Sequence, residues 1–123
     1  MTKGQALHEF FSGFGMPAFA AHAVPDDVVF PWLTYTPVFD SFSGGEVSIT
    51  VNLWFHTESE AIPNAKAQEL SEAIGLGGVF LRCDGGLIWL KRGSPWCQSL
   101  SDESDRNIKR RYLNVTAEFF TSN

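Results

Sequence analysis

Hydrophobic and polar residues alternate most regularly in two segments of this chain, Glu46–His56 and Tyr112–Phe120. Apolar side chains occupy every odd position from Val47 to Phe55 in the first segment and from Leu113 to Phe119 in the second. A period of two is typical of a strand with one apolar and one polar face. The pattern therefore predicts two β-strands, the second continuing a run that starts at Lys109.

Two other segments have helical spacing. The first follows a capping box at Thr2–Gln5, in which the threonine accepts from an early helical N–H and the glutamine reaches back. Its apolar stripe, at i, i+3, i+4 and i+7, consists of Leu7, Phe10, Phe11 and Phe14. The second segment, Ser59–Ile74, also has one apolar face and is followed by Gly75, which predicts its end.

Three shorter segments predict further strands. They are Trp32–Phe39, whose internal proline favours a sheet edge or a bend, Val79–Cys83 and Leu87–Arg92. The proline- and alanine-rich stretch Pro17–Pro31 is predicted to be a connector, with at most a short strand at Ala18–Ala20.

The predicted fold is a single α+β domain over residues 1–123, with the element order α-β-β-α-β-β-β. Strands joined mainly by short turns favour a mostly antiparallel sheet, here of about five strands. Two helices with one apolar stripe each are expected to pack on one face of that sheet. A sheet half covered in this way, with a long strand at its edge, is suited to joining another copy.

The segment Gly93–Asp105 lacks a clear period and carries Trp96 and Leu100 among serines and acidic residues. An irregular loop of this length is usually functional or disordered, and a disordered linker has no use for large apolar side chains. The sequence therefore predicts a docking loop. The alternative for Trp96 is that it folds back over the core of its own domain.

Composition narrows the function classes. With 123 residues and 44% apolar content the chain can bury a core, and its net charge of −5 argues against a dedicated nucleic-acid binder. The charge is uneven. Residues 1–81 contain two basic and nine acidic side chains, giving −7, whereas residues 82–123 contain seven basic and five acidic side chains, giving +2.

No residue pattern predicts catalysis or a cofactor. Cys83 and Cys97 fit neither a zinc pair nor a CxxC motif, and His8, His22 and His56 lack ligand spacing. We therefore expect a protein that is not an enzyme and has no cofactor or metal. A start without a signal segment and the lack of an apolar run of about 18 residues predict a cytoplasmic product with no membrane segment.

One candidate binding group remains, a set of basic residues near the end of the chain. It consists of Arg106, Lys109, Arg110 and Arg111, and Arg92 is expected nearby in the neighbouring strand. Pairing with acidic residues of a neighbouring subunit fits the uneven charge best. Nucleic-acid binding and a plain solvated surface are the alternatives.

Six runs of residues carry a resemblance to a known family: Val24–Asp27, Phe30–Tyr35, Ala73–Gly75, Cys83–Gly86, Ile88–Pro95 and Ile108–Phe119. They resemble the minor capsid or tail terminator (tail completion) proteins of long-tailed bacteriophages and related prophages. The resemblance covers nearly the whole chain, and its motifs are structural ones without a catalytic signature.

The resemblance implies a structural virion protein, made in the host bacterial cytoplasm, that assembles as a homo-oligomeric ring, expected to be a hexamer. Such a ring caps the head-proximal end of the tail tube, ends tube polymerisation and contacts the head-tail connector protein. Genomic DNA passes through its centre without specific binding. The partners are thus the chain itself, the tail tube protein and the connector.

Residue roles in such a ring are hypotheses from spacing and charge. Trp96 and Leu100 are expected to reach the tube or the connector, and the basic group to face acidic residues such as Asp26 and Asp27 of the next subunit. The alternative functions are a head-completion or stopper protein on the other side of the same joint, and a small-molecule or peptide binding module.

Overall fold

A six-stranded sheet runs through the computed structural model, which describes residues 1–123. Its strands are β1 Ala18–Ala20, β2 Trp32–Tyr35, β3 Glu46–His56, β4 Val79–Cys83, β5 Gly86–Ser101 and β6 Ile108–Thr121. They lie side by side in the order β1-β2-β3-β6-β5-β4. The β1-β2 pair is parallel and the other neighbours are antiparallel.

Two α-helices accompany the sheet, α1 Lys3–Phe11 and α2 Ala61–Ile74. The predicted capping box is confirmed, because the Thr2 hydroxyl accepts from the Gln5 N–H at 3.1 Å and the Gln5 side chain accepts from the Thr2 N–H at 2.8 Å. The predicted end of α2 is also confirmed: Gly75 has φ of +79°, in the left-handed region that favours glycine.

The core follows the alternation of the sequence. Every odd-numbered side chain from Ile49 to Phe55 and from Arg111 to Thr121 is buried, whereas the even-numbered neighbours are half-buried or exposed. One hydrophobic cluster joins the odd-numbered apolar residues of β3 and β6 to the buried side chains of both helices. In α1 and α2 the largest of these are Leu7, Phe11, Leu70 and Ile74.

The α+β class is confirmed, but the predicted order omits one strand. The observed order is α-β-β-β-α-β-β-β, because Ala18–Ala20 is a true strand beside β2. Backbone bonds on either side of it, from the Leu33 N–H to Pro17 O (2.9 Å) and from the Ala21 N–H to Tyr35 O (2.8 Å), hold this strand. β2 itself ends at Tyr35, before the proline in the predicted strand.

The prediction of an irregular loop at Gly93–Asp105 is wrong for residues 93–101, whereas a docking role for this segment stays a prediction. β5 continues to Ser101 and pairs with β6 again from Cys97 onward, after a register shift between Arg92 and Cys97. A bulge of this kind accommodates the glycine and proline that break the sequence pattern, because pairing with a long neighbouring strand outweighs weak local propensity. The Asn114 side-chain amide donates to Pro95 O at 2.6 Å within the bulge.

Only a short turn, residues 102–107, separates β5 from β6. Acidic side chains accept backbone bonds there, with the Ser104 N–H donating to Asp102 and the Asn107 N–H donating to Asp105. Neither helix of the fold has the length and apolar character needed to cross a bilayer.

Candidate interaction surface

The surface most suited to binding is the face of the sheet formed by even-numbered residues of β3 and β6 and by the residues paired with them. We call it the even face. Its centre is uncharged and polar, with Asn52 opposite Tyr112 and Thr50 opposite Asn114. These four side chains are half-buried, and the Thr50 and Tyr112 hydroxyls lie 3.4 Å apart.

Aromatic residues gather at one end of the even face. This group, the Trp32 cluster, consists of Phe30, Trp32, Trp54, His56 and Arg110. Trp32 stacks on Trp54, with ring centroids 5.8 Å apart and planes 16° apart, and Phe30 lies 4.4 Å from Trp32 and 5.6 Å from His56. The Arg110 guanidinium lies 5.1 Å from the Trp54 ring. The cluster is thus a continuous row of rings that ends on a cation.

A second group, the Trp89 cluster, lies at the opposite end of the same face and consists of Phe42, Phe80, Trp89, Lys91 and Phe120. Trp89 stacks on Phe80 at 5.5 Å and lies 6.5 Å from Phe120, which in turn lies 6.2 Å from Phe42. The Lys91 ammonium is 4.0 Å from the Trp89 ring. Four strand and loop segments therefore contribute to one aromatic patch.

The Trp89 cluster remains open to solvent. Phe42 is 67% exposed and Phe80 is 57% exposed, although both rings contact other aromatic rings. Leaving large apolar side chains in water forgoes hydrophobic stabilisation, and contiguous patches of this type usually mark sites of macromolecular contact. The Trp89 cluster therefore qualifies as an anchor for a partner. The rings of the Trp32 cluster, at the other end of the face, are half-buried beside the exposed His56.

The two residues predicted to dock point in different directions. Leu100 lies opposite Arg110 on β6, beside the Trp32 cluster, and is half-buried. Trp96 lies in the bulge, packs against the hydrophobic core and is also half-buried, with its indole N–H lacking an acceptor. The alternative, that Trp96 folds over its own core, therefore describes the structure better than an outward-reaching anchor.

Arg111 is buried within its own chain, and the hypothesis that it faces a neighbouring subunit is wrong. It is 1% exposed, and its guanidinium donates to Glu60 at 2.5 Å and to Asn64 at 3.0 Å. The hydrogen bond from Arg111, assisted by its charge and that of Lys109, holds the pKa of Glu60 below its ordinary value. The pair ties the start of α2 to β6.

The other basic residues do not form one patch. Arg110 joins the Trp32 cluster, Lys109 lies 3.5 Å from the Glu60 carboxylate and donates to Arg106 O at 2.6 Å, and Arg92 donates to the Ser71 hydroxyl on α2 at 2.8 Å. Arg106 itself is exposed. Because neighbouring positions of a strand face opposite sides, the run Lys109–Arg111 divides between two faces.

Asp26 and Asp27 lie exposed in the connection between β1 and β2. Their pairing with basic residues of another copy stays a prediction, now restricted to those that remain at the surface. Arg92 and Arg106 are the exposed ones.

Sequence reasoning did not select the aromatic residues of the two clusters. A signal was present for Trp54, which occupies a polar-face position of an otherwise regular alternation. No such signal marks Phe80 and Phe120, because their proximity depends on the pairing of β4 and β6 with the same strand. The clusters are products of the sheet order.

Comparison of the chain with protein-family models, curated proteins and solved structures gives no match. No group of three or more His, Cys, Asp and Glu side chains is arranged to hold a metal ion.

Proposed function

We propose that this protein is a structural component of a bacteriophage virion, a tail terminator that assembles as a homo-oligomeric ring of six copies. The ring caps the head-proximal end of the tail tube, stops its polymerisation and joins the tail to the head connector. The observation that carries this proposal is the placement of two aromatic clusters at opposite ends of one sheet face, because a joint between two assemblies needs an anchor for each.

We further infer that both helices cover the odd-numbered face of the sheet. Their buried side chains belong to the same hydrophobic cluster as the odd-numbered residues of β3 and β6, which supports this arrangement. The even face is then left for contacts outside the domain. Its uncharged centre suits a wall past which DNA moves without being held, since tight nucleic-acid binding depends on cations that neutralise phosphate.

Charge supports the same role. Each copy carries a net charge of −5, so a ring of six repels a polyanion in its lumen. In the Trp89 cluster, the Lys91 ammonium contacts the carboxylates of Glu46 and Glu118 in its own chain, which offset its charge. Passage of the genome without specific binding is the expected consequence.

The test is to image particles assembled without this protein and to rescue them with variants. Overlong tails without it, restored to normal length by the wild-type chain, support the terminator role. Filled heads that leak DNA beside tails of normal length indicate the stopper role on the head side instead. Particles that are normal without the protein contradict both.

Two variants locate the contacts in the same rescue. Trp54→Ala and Trp89→Ala each remove the centre of one cluster, and each is expected to impair joining to one partner, the tube or the connector. Loss of a buried aromatic anchor typically weakens an interface by about 2 kcal/mol or more, roughly thirtyfold in affinity. Ser48→Ala, an exposed change on the polar part of the even face, is the matched control and should rescue fully.

A further inference from the structure

One edge of the sheet is left open along part of β5. β4 pairs only with the first residues of this strand, Gly86–Leu90, so the segment Cys97–Ser101 has β6 on one side and no strand on the other. Exposed edges are normally guarded by charged residues, prolines or covering segments. This segment contains neither charge nor proline, which makes it a suitable template for another strand.

The backbone groups of that edge are identified by the ladder. The Asp102 N–H donates to Ile108 O, so this pair bonds across β5 and β6. In an antiparallel ladder the backbone N–H and C=O groups of every second residue point to the same side. The backbone groups of Leu100 and Gln98, two and four residues before Asp102, therefore also bond to β6. Ser99 and Cys97, which lie between them in the alternation, direct their N–H and C=O groups away from the sheet.

The opposite edge of the sheet is β1. Pro17 O and the Ala21 N–H both bond to β2, so by the same alternation Phe19 bonds inward, while Ala18 and Ala20 point outward. No strand lies beyond β1, and Ala18–Ala20 also lacks charge. The outward Ala20 carbonyl accepts a bond from the Ala23 N–H, which leaves the Ala18 groups and the Ala20 N–H without strand partners.

These two open edges lie at the same level of the sheet. The strand registers place Ala18 and Ser99 at the two ends of one transverse row, which also contains Leu33, Leu53 and Arg111. Ala20 and Cys97 end a second row, through Tyr35, Val51 and Leu113. Moreover, β1 and β5 run in opposite directions, because one parallel and three antiparallel pairings separate them.

We propose that neighbouring copies join by adding β1 of one chain to the open edge of β5 of the next, as an antiparallel pair with Ser99 opposite Ala18 and Cys97 opposite Ala20. Both pairs match outward-pointing backbone groups, with the Ala20 carbonyl shared between the Cys97 N–H of the next copy and the Ala23 N–H of its own chain. The odd-numbered face of one sheet then continues into that of the next. The partner is a second copy of this chain. The contact is head to tail, the type that generates rings.

This inference deepens the proposed function and rests on it only for closure into a ring. At the level of this contact each copy contributes five strands, because β1 of the next copy takes the position beside β5 that β4 occupies further along, and a spacing of about 4.8 Å gives about 24 Å of wall per subunit. Six copies then form a ring about 46 Å in diameter at the sheet layer, enough for duplex DNA to pass.

Disulfide trapping tests the register. In a Cys83→Ser background, Ala20→Cys creates a cysteine expected to face Cys97 of the next copy, and hydrogen-bonded antiparallel pairs have the roughly 5.5 Å Cα separation that a disulfide needs. Mild oxidation of the assembled protein should give a ladder of covalent multimers up to the ring size. Burial raises the pKa of Cys97, so the oxidation is done at alkaline pH.

The control chain carries Ala23→Cys in the same background, at an exposed position beyond the strand. A ladder with Ala20→Cys and only weak linkage with Ala23→Cys supports the pairing. An assembled ring in which Ala20→Cys gives no ladder overturns it and leaves the terminator role intact. A protein that stays monomeric on its own and on tail tubes also overturns it.

A proline pair gives a second readout. Ser99→Pro removes an outward N–H that the partner strand requires, whereas Ser101→Pro removes an outward N–H that lies past the level of β1. Self-association should weaken about tenfold or more for Ser99→Pro and little for Ser101→Pro, with both variants unfolding like the wild type. Equal weakening contradicts the proposed register. Trapped multimers that fail to cap tubes, by contrast, leave the pairing standing and reject the terminator role.

Discussion

The odd-numbered and even-numbered faces of β6 show how one strand serves two purposes. Arg111 on the odd face is buried and bonded to Glu60 and Asn64, whereas Arg110, the preceding residue, lies half-buried over Trp54 on the even face. The same residue type thus stabilises the attachment of a helix at one position and extends an aromatic surface at the next. The direction of the side chain, rather than its charge, decides the role.

The comparison teaches that stability and recognition are separable in this fold. Truncating a side chain on the odd face removes packing that the domain cannot replace, because protein interiors are close-packed. Truncating a side chain on the even face removes contacts that solvent partly replaces in the free chain. Substitutions at neighbouring positions should therefore differ strongly in their effect on unfolding.

The largest contrast is expected between Phe119 and Phe120. Phe119→Ala opens a cavity at a side chain that is 1% exposed and should lower the free energy of unfolding by about 3–5 kcal/mol. Phe120→Ala removes only partly buried ring contacts with Phe42 and Trp89 and should cost about 1 kcal/mol. Urea unfolding of both variants measures this, and equal losses would show that the even face is part of the core.

A second contrast concerns the carboxylate that pairs with Arg111. Glu60→Gln leaves the buried guanidinium without its anionic partner and should destabilise the fold at neutral pH. Because Arg111 holds the pKa of Glu60 below its ordinary value of 4.5, the stabilisation is complete above pH 4.5 and is lost as the pH falls through the lower folded-state pKa.

The difference between wild type and Glu60→Gln should accordingly narrow below pH 4.5 when unfolding is followed by circular dichroism. Glu58→Gln, an exposed change two residues away, is the matched control and should follow the wild type at every pH. A wild-type advantage over Glu60→Gln that grows as the pH falls would contradict the assigned ion pair.

A smaller effect is expected for Lys91 on the even face. Its ammonium lies over Trp89 and pairs with Glu46 and Glu118, and Lys91→Gln should cost about 1 kcal/mol. Since exposed charges are screened, the cost should shrink in about 1 M salt. Denaturation at two salt concentrations distinguishes this from a packing defect, which salt would not diminish in the same way.

The smallest effect is expected for Arg110→Gln, at about 0.5 kcal/mol, because a cation over an accessible ring contributes little in water. Its neighbour Arg111→Gln should be clearly more destabilising in the same thermal unfolding experiment. If the two substitutions lowered the stability by similar amounts, the two faces of β6 would not differ in their contribution to folding.

Local patterns predicted much of the fold but only part of the interaction surface. The alternation in β3 and β6 and the helical stripe of α1 were readable because each is repeated over several residues. Arg111 occupies an odd position two residues before Leu113, so extending the alternation backward would have placed it inside. The basic composition around it suggested a surface patch instead, and composition does not report direction.

The strand structure of Gly93–Ser101 was not predicted, for a different reason. Its glycine, serines and proline have weak strand propensity, and only pairing with β6 at a shifted register makes it a strand. A related limit applies to β1, since the sequence suggested a short strand at Ala18–Ala20 but not its parallel pairing with β2. Both segments obtain their structure from neighbours distant in sequence.

The sequence by itself determined the α+β class, the helix caps and the two faces of the long strands, because these depend on spacing along a few neighbouring residues. The order of the strands, the bulge in β5, the burial of Arg111 against Glu60 and the two aromatic clusters were decided by tertiary structure. Each of them joins segments far apart along the chain, and local periodicity carries no information about which distant segments will pair.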